Sequence, residues 1–303
     1  GRRMVWNMAG KTSYIRRRQP WRTFSKSYWP EKPRAQTMHY LSEDFAKDLP
    51  KGDSFHNLQA MEGRVYRNVQ GRKTLQFALR GKSYFIKNHF GVGWKEIFKN
   101  LVQLRMPILG AENEWHAISK LKSLGLATMT SMAYGSRGWN PARRQSLIVT
   151  EDLTNTISLE DYCKDWRQNP PEFALKQKLL NELASISRTL HRGGVCHRDF
   201  YLCHFLMPKE CFDVASNQAF ELFIIDLHRA LIKNPLGLRW IVKDVSGLLY
   251  SAMDIGLTQR DFYRFIKIYD DMSLRDALAT NGAFWSAVQT RGLSMHKKLG
   301  QVS

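Results

Sequence analysis

Cysteine, acidic residues and long apolar runs are all scarce in this sequence. Four cysteines among 303 residues are too few for a disulfide framework, so we expect a protein of a reducing compartment. No stretch reaches the roughly 18 apolar residues that a membrane-spanning helix needs, and the N-terminus has no signal-peptide core. The sequence therefore predicts neither a disulfide scaffold nor a membrane span, and any membrane contact would be at the surface.

Basic residues are in large excess. The chain has 46 Lys and Arg against 27 Asp and Glu, which gives a formal net charge of +19. Such a charge favours a polyanionic partner, namely a nucleic acid, an anionic membrane surface or a phosphorylated substrate. Hydrophobic residues make up 43% of the chain, which is typical of a globular protein long enough for a two-lobed domain.

The N-terminal segment, residues 1–40, holds ten of the basic residues and a single acid, Glu31. It shows no sustained helix or strand period, which predicts a basic, irregular extension. One interpretation is a disordered extension outside the native product, because the chain opens on Gly1 and Met38 offers a start. The other is a tether to anionic lipid or nucleic acid.

Two short motifs in the second half of the chain predict a phosphotransferase of the kinase fold. The stretch His197-Arg198-Asp199, followed after four residues by His204, resembles a kinase catalytic loop. An apolar strand then ends in Asp226-Leu227-His228, where protein kinases have Asp-Phe-Gly. In-line phosphoryl transfer needs one carboxylate for the acceptor's proton and one for Mg²⁺. We predict Asp199 for the first role and Asp226 for the second.

His204 stands where most kinases place an asparagine as second metal ligand. Because imidazole suits Mg²⁺ less well than an oxygen ligand, we expect His204 to be an auxiliary metal ligand. Contact with phosphate or the acceptor, and simple packing in the loop, remain alternatives. A zinc site built from Cys196-His197 and Cys203-His204 is disfavoured, because it lacks the paired spacing of such sites.

Short strand patterns begin near residue 65. Strands over residues 65–69, 74–79 and 84–87, joined by tight turns, predict a three-stranded antiparallel meander. Its first turn carries one glycine and two cations, Arg72 and Lys73, which we expect to hold phosphate oxygens of a nucleotide.

Lys87 ends the third of these strands, in a context similar to the strand lysine that contacts nucleotide phosphates in kinases. Such a lysine pairs with a glutamate on the next long helix, which the apolar periodicity predicts over residues 112–124. Glu112 and Glu114 are both candidates, but they point in different directions, so only one can face Lys87. We expect Glu114 to be the partner, the alternative being a solvated acid at the helix start.

The segment between the lobes and the C-terminal half follow the same plan. Strands over residues 128–134 and 145–150 lead into a hinge whose Glu151 and Leu153 we expect to present backbone groups to adenine. Periodic patterns then predict helices, including one over residues 239–253. Asp244 lies in the first half of that helix, and the resemblance to kinase-fold proteins, which place an acid beneath the catalytic loop there, implies the same position for Asp244. An amphipathic insert at residues 94–104 is expected to pack within the first lobe rather than against a partner or a membrane.

Jointly, these motifs resemble the lipopolysaccharide core heptose(I) kinases of Gram-negative bacteria over residues 56–270. The segments that carry the resemblance include Gly81-Lys82-Ser83-Tyr84-Phe85-Ile86-Lys87, Thr150-Glu151-Asp152-Leu153-Thr154, His197-Arg198-Asp199, Cys203-His204-Phe205-Leu206 and Asp226-Leu227-His228-Arg229-Ala230. The resemblance implies an α+β, two-lobed, protein-kinase-like fold. The small lobe, residues 41–153, would hold an antiparallel sheet and one long helix, and the lobe at residues 154–303 would be mostly helical.

The resemblance also implies a function. It is ATP- and Mg²⁺-dependent phosphorylation of the first heptose of the lipopolysaccharide inner core, at the cytoplasmic face of the inner membrane, with a dependence on acyl carrier protein. His228-Arg229 in place of the flexible kinase glycine predicts a site held permanently on, and Arg229 is an alternative ligand for an anionic group of the acceptor.

Two other functions stay open. The first is a kinase-fold enzyme that acts on a protein or a soluble small molecule, because acceptor specificity carries no short motif. The second is a non-catalytic basic module on a membrane or nucleic acid. A non-catalytic shell would not require Lys87, Asp199 and Asp226 together, and nucleic acid is not an expected partner.

Overall fold

The computed structural model describes residues 38–69, 71–91, 93, 110–140, 142–212 and 221–299. The predicted extension at residues 1–37 and the amphipathic insert at 94–104 lie outside these residues. Over the rest, the α+β, two-lobed architecture expected from the sequence is confirmed, with an antiparallel sheet in the first lobe and helices in the second.

A six-stranded antiparallel sheet builds the first lobe, in the order β1-β5-β6-β4-β3-β2. Its strands are β1 (Met38–Leu41), β2 (Arg64–Val69), β3 (Arg72–Leu79), β4 (Lys82–His89), β5 (Ser131–Arg137) and β6 (Gln145–Glu151). Because β1 pairs with β5, the described fold starts at Met38, inside the segment that the sequence assigned to the extension. Strand β5 begins at Ser131 rather than at 128, since Thr128 instead bridges Ile224 of the second lobe.

The pairing of β3 with β4 corrects the predicted first turn. Strand β3 begins at Arg72, so Arg72 and Lys73 are strand residues and not turn residues. Thr74 lies opposite Lys87, and Arg72 opposite His89, which puts these four residues on one face of the sheet. Lys73 therefore lies on the other face, the one that carries the buried Leu75.

Two short helices cover that other face. They are α1 (Glu43–Asp48) and α2 (Ser54–Gln59), and Asp53 caps the second by accepting from the backbone N–H groups of Phe55 and His56. A first hydrophobic cluster forms between the helices and the sheet. It consists of Phe45, Phe55, Leu58, Leu75, Phe77, Tyr84, Ile86, Met132, Ala133, Leu147 and Val149.

The long helix of the first lobe is α3 (Glu112–Ser123), close to the predicted 112–124. Its buried residues are Glu114, Ala117, Ile118 and Leu121, a helical stripe in which the first member is an acid. The helix belongs to a second hydrophobic cluster that continues into the C-terminal lobe, so α3 packs at the junction of the lobes. The division at residue 153 remains a prediction, because residues 35–303 form one compact unit.

The second lobe is built on helices, as expected. They are α4 (Leu159–Cys163), α5 (Phe173–Arg192), α6 (Leu238–Ser251), α7 (Gln259–Asp270) and α8 (Leu274–Leu299). The side chains of Ser158 and Thr258 cap α4 and α7, and Gly193 ends α5, in line with the sequence signals. Gly194 takes φ of 80°, which lets the chain turn sharply into the catalytic loop.

Short strands hold the loops that follow α5. Strands β7 (Thr156–Ser158), β9 (Phe205–Pro208) and β10 (Phe223–Ile224) form a three-stranded sheet, while β8 (Val195–Cys196) pairs with β11 (Leu231–Ile232). The segments that contain Asp199 and Asp226 each follow one of these strands. The strands therefore fix the positions at which the two loops that carry these aspartates begin.

The helices of the second lobe also line a partly open, mainly apolar cavity of about 430 Å³. Helices α5, α6, α7 and α8 contribute to its wall, which includes Leu183, Leu248, Phe262 and Leu293. None of the helices among the described residues is long and apolar enough to cross a membrane.

Candidate active site

Lys87 is the point at which the sheet meets helix α3. Its Nζ atom lies 2.6 Å from Oε1 of Glu114, and the two side chains are 14% and 1% exposed. The buried acid on the α3 stripe is thus neutralised by the strand lysine. The structure pairs Lys87 with Glu114, the residue expected of the two that helix geometry left open.

Glu112, the alternative partner, points away from this pair. Its side chain is 53% exposed and lies 3.5 Å from Arg144 and 3.8 Å from His116. These are surface contacts, which contribute little to stability.

Asp226 lies next to Lys87, with Oδ1 of Asp226 3.5 Å from the lysine Nζ. The same oxygen accepts a hydrogen bond from Nδ1 of His228 at 2.6 Å. Burial alone would raise the pKa of Asp226, but the His228 hydrogen bond and the nearby Lys87 charge outweigh it and hold the pKa well below its usual range. The residue adopts a left-handed backbone, with φ of 60°, at the end of its strand. Asp226 is therefore a fixed carboxylate that stays ionised at neutral pH.

A single imidazole, His204, contacts both predicted aspartates. Its Nδ1 atom donates to the backbone carbonyl of Asp199 at 2.7 Å, because a carbonyl oxygen can only accept. Its Nε2 atom lies 3.6 Å from Oδ2 of Asp226. An imidazole nitrogen and a carboxylate oxygen are both metal-ligand atoms, so the gap between them is the candidate metal position.

His197 supports the ring of His204 from behind. The two imidazoles stack with centroids 5.5 Å apart, and Nε2 of the fully buried His197 donates to the carbonyl of Ile225 at 2.8 Å. Because Ile225 precedes Asp226, the stack ties the catalytic loop to the loop of the metal-binding candidate. These histidines bond to backbone carbonyls, and among the described residues no group of three or more ligand-type side chains converges as a metal site.

Arg229 holds the side chain of Asp199. One guanidinium nitrogen, NH1, donates to both carboxylate oxygens, at 2.8 and 3.0 Å. Asp199 is 17% exposed and Arg229 41% exposed, so the pair lies at the surface of the site. A carboxylate accepts about four hydrogen bonds, and Asp199 therefore keeps capacity for an acceptor hydroxyl.

The backbone of the catalytic loop is anchored by Asp244 on α6. Its carboxylate accepts from the N–H groups of His197 at 2.6 Å and Arg198 at 2.8 Å, and it lies 3.5 Å from His191. Burial would raise the pKa of Asp244, but the nearby imidazole of His191 lowers it overall. The acid predicted beneath the loop thus fixes the left-handed Arg198, whose φ is 73°.

Asn113 joins α3 to the turn after Asp226. Its side-chain amide donates to the backbone carbonyls of His228 at 2.9 Å and Ala230 at 2.8 Å. Asn113 precedes Glu114, the partner of Lys87, on α3. The same helix therefore also holds the turn that carries His228, the partner of Asp226. No pattern in the sequence singled out Asn113, because its role depends on a contact 115 positions away.

Arg72 and Lys73, at the edge of the site, lie on opposite faces of the sheet. Arg72 shares the sheet face of Lys87, and its Nε atom is buried without a hydrogen-bond partner among the described residues. Lys73 lies on the opposite face, so the predicted phosphate contact of Lys73 is not supported by the geometry. The reason is the strand itself, which starts two residues earlier than predicted and alternates its side chains.

The hinge candidates offer one backbone group each. The N–H of Glu151 already donates to the Thr130 carbonyl at 2.9 Å, so Glu151 has only its carbonyl to offer. The N–H of Leu153 has no backbone acceptor within the described ranges, while its carbonyl accepts from Thr156. One acceptor and one donor two residues apart suit the edge of a purine base.

A sheet lobe joined to a helical lobe, with a strand lysine paired to a helix glutamate beside a loop aspartate, is the arrangement of protein-kinase-like folds. Comparison with known proteins agrees. Residues 56–269 match the lipopolysaccharide kinase (Kdo/WaaP) family. The chain belongs to that family.

Named relatives are similar over most of their length. Lipopolysaccharide core heptose(I) kinase WaaP of Escherichia coli K12 is 48% identical over 239 residues, which cover 79% of this chain and 89% of that protein. The protein of the same name from Pseudomonas aeruginosa is 42% identical over 258 residues, covering 85% of this chain and 96% of its own. A solved structure of WaaP in complex with acyl carrier protein matches with a TM-score of 0.73 and 38% identity, over 85% of this chain and 98% of that chain.

Proposed function

We propose that this chain is an ATP- and Mg²⁺-dependent kinase that phosphorylates the first heptose of the lipopolysaccharide inner core. The observation that carries the proposal is the meeting of Lys87, Glu114 and Asp226, with Lys87 Nζ at 2.6 and 3.5 Å from the two carboxylates. The acceptor is taken from the relatives, which are core heptose(I) kinases at 42 to 48% identity.

The nucleotide would bind along the sheet face that carries Lys87. Lys87, oriented by Glu114, offers its ammonium group to the phosphates, and Arg72 on the same face adds a second cation. At the hinge, the Glu151 carbonyl would accept from the exocyclic amine of adenine and the Leu153 N–H would donate to the ring. With the nucleotide bound in this way, its γ-phosphate would be directed toward the two loop aspartates.

The donor set near Asp226 fits a magnesium ion. Asp226 keeps Oδ2 free of protein hydrogen bonds within the described residues, and His204 Nε2 faces it at 3.6 Å. Asp226 would be the main ligand, since Mg²⁺ prefers oxygen, and His204 an auxiliary one. The ion, when bound, would neutralise charge on the nucleotide's phosphates.

Asp199 would act on the acceptor. The heptose hydroxyl oxygen forms a bond to the γ-phosphorus, the bond from that phosphorus to the β–γ bridging oxygen breaks, and ADP leaves. Asp199 orients the hydroxyl and receives its proton, and Arg229 holds the carboxylate in place for this. Asp244 keeps the loop backbone rigid, so little reorganisation is needed at the moment of transfer.

We also propose where the protein works and with which protein. A lipid-linked core acceptor places the reaction at the cytoplasmic face of the inner membrane, and the net charge of +19 suits an anionic membrane surface. The proposal of acyl carrier protein as a partner is supported by the similar WaaP structure, which was solved in complex with such a protein. The apolar cavity of about 430 Å³ would accommodate a carried acyl chain.

The partner proposal is tested by a substitution that fills the cavity. Ala252→Trp adds a ring at its wall, and we expect it to weaken binding of acylated acyl carrier protein while leaving binding of the unacylated form unchanged. Equal binding of both forms by the native protein would contradict the cavity's part in the proposal.

The function itself is tested by incubation with ATP, Mg²⁺ and core lipopolysaccharide that lacks the heptose phosphate. Mass spectrometry should find one added phosphate on the first heptose. Transfer only to proteins or soluble small molecules would favour the second kinase hypothesis instead. ATP turnover with no transfer to the core would contradict the proposal.

A further inference from the structure

Three basic side chains lie on the segments that adjoin Asp199. They are Arg198, Arg229 and Lys243. Arg229 spends one guanidinium nitrogen on Asp199. Asp244 is already taken up by the backbone amides of the loop and by His191. Across the described part of the chain, neither Arg198 nor Lys243 has a carboxylate within ion-pair distance, and the buried Nε atom of Arg198 has no hydrogen-bond partner.

Helix α6 sets the position of this basic cluster. Trp240, Lys243 and Asp244 stand at positions i, i+3 and i+4, so they share one side of the helix. Asp244 shows which side this is, because its carboxylate contacts the catalytic loop. The guanidinium of Arg198 lies over the ring of Trp240, 5.4 Å from its centroid. Lys243 therefore faces the catalytic loop together with Arg198.

The cations interact with one another. Burial of Lys243, together with the positive charges of Arg198 and Arg229, lowers the pKa of Lys243. Binding of an anion would reduce the repulsion between these cations. Lys87 and Arg72 on the sheet are the cations proposed for the nucleotide, whereas this cluster belongs to the catalytic loop and α6, beside the residue proposed to act on the acceptor.

We propose that Arg198, Arg229 and Lys243 form a specificity site for a carboxylate or phosphate group carried by the acceptor next to its reacting hydroxyl. The inference rests on the proposed function and adds to it the residues that recognise the acidic groups of the acceptor. Arg229 has five N–H donors, so it can hold Asp199 through one nitrogen and the acceptor's anion through the others. One residue then places both the base and the substrate.

The test varies the protein and the acceptor together. Lys243→Gln should raise the acceptor KM about tenfold, the effect of losing one charge-assisted hydrogen bond, and should leave the KM for ATP unchanged. Lys243→Arg keeps the charge and should restore most of the affinity. Lys267→Gln, which removes an exposed cation on α7, is the matched control and should behave like the native protein.

The acceptor is a core oligosaccharide that lacks the heptose phosphate, used in three forms. One is intact, one has its carboxyl groups methyl-esterified, and one has its remaining phosphate groups removed. One modified form should give the native protein the same acceptor KM that Lys243→Gln shows on the intact acceptor, and the group missing from that form is the anion. On that form Lys243→Gln should raise the acceptor KM no further, because the group that Lys243 binds is already absent.

The outcomes separate the two claims. Suppose that the native protein transfers phosphate, but the acceptor KM is the same for all three acceptors and is unchanged in Lys243→Gln. The inference is then overturned and the proposed function stands. If Lys243→Gln raises the KM for ATP instead, the cluster serves the nucleotide and the inference is again overturned. No transfer to any of the three acceptors would contradict the proposed function, and the inference with it.

Discussion

The side-chain amide of Asn113 donates a hydrogen bond to the backbone carbonyl of His228, 2.9 Å away. This contact connects the helix that positions Lys87, through Glu114, with the turn that positions Asp226. In a kinase fold these two parts must be in place together for phosphoryl transfer. Here the side chain of Asn113 links them directly, as we expect for a site that stays in its active arrangement without a flexible switch.

Asn113→Leu should uncouple the two parts. We expect kcat to fall about tenfold while the fold loses only about 1 to 2 kcal/mol, the net value of two hydrogen bonds. The measurement is steady-state transfer together with urea unfolding. Asn57→Leu is the matched control, since Asn57 also donates to a backbone carbonyl, that of Pro50, but far from the site. An Asn113→Leu enzyme with native kcat would show that the link is structural only.

Glu114→Gln should reduce kcat/KM by about 10²-fold, because Lys87 would lose the negative charge that holds it at 2.6 Å and the remaining carboxylate, Asp226, would draw it away from the phosphates. Glu112→Gln alters the same helix two positions earlier at a side chain that is 53% exposed, and should have no effect on turnover. Equal losses in both variants would point to damage of α3 rather than of the ion pair.

His89 predicts an acid-sensitive fold. Burial and the charges of Arg72 and Lys87 lower the pKa of His89 from 6.5 to about 3. Below about pH 6.5 the imidazole of His89 binds a proton in the unfolded chain but stays neutral in the folded protein until the pH approaches 3. The free energy of unfolding should therefore fall as the pH drops from about 6.5 towards 3, by about 1.4 kcal/mol per pH unit from this residue.

Urea unfolding at pH 6.5, 5.5 and 4.5 measures this slope. His89→Leu should flatten it, because leucine has no proton to gain. His56→Gln removes an exposed histidine of the same lobe and should leave the slope unchanged. If His89→Leu and the native protein lose stability in parallel, another group governs the acid response.

Much of the fold and part of the site follow from local patterns. The meander and helix α3 depend on strand alternation and helical periodicity, which neighbouring residues determine. Helix direction showed that only one of Glu112 and Glu114 could face Lys87, and the packing of α3 on the sheet decides which. The family motifs around Asp199 and Asp226 are also local. Lys73 was misplaced because the length of β3 is decided by its pairing with β4, where Arg72 lies opposite His89.

What could not be predicted depends on contacts between distant segments. The bond from Arg229 to Asp199 spans 30 positions and that from Asn113 to His228 spans 115. The grouping of Lys243 with Arg198 requires the packing of α6 under the catalytic loop. None of these leaves a periodic or spacing signal in the chain.

The central claim is that Asp199 acts directly on the acceptor hydroxyl while nucleotide binding is carried by Lys87 and Asp226. Phosphate transfer by Asp199→Asn, read by mass spectrometry of the core product, tests it most directly. We predict a rate lower by about 10² to 10⁴-fold, with ATP affinity and the unfolding midpoint within error of the native protein. Transfer at the native rate by Asp199→Asn would contradict the account.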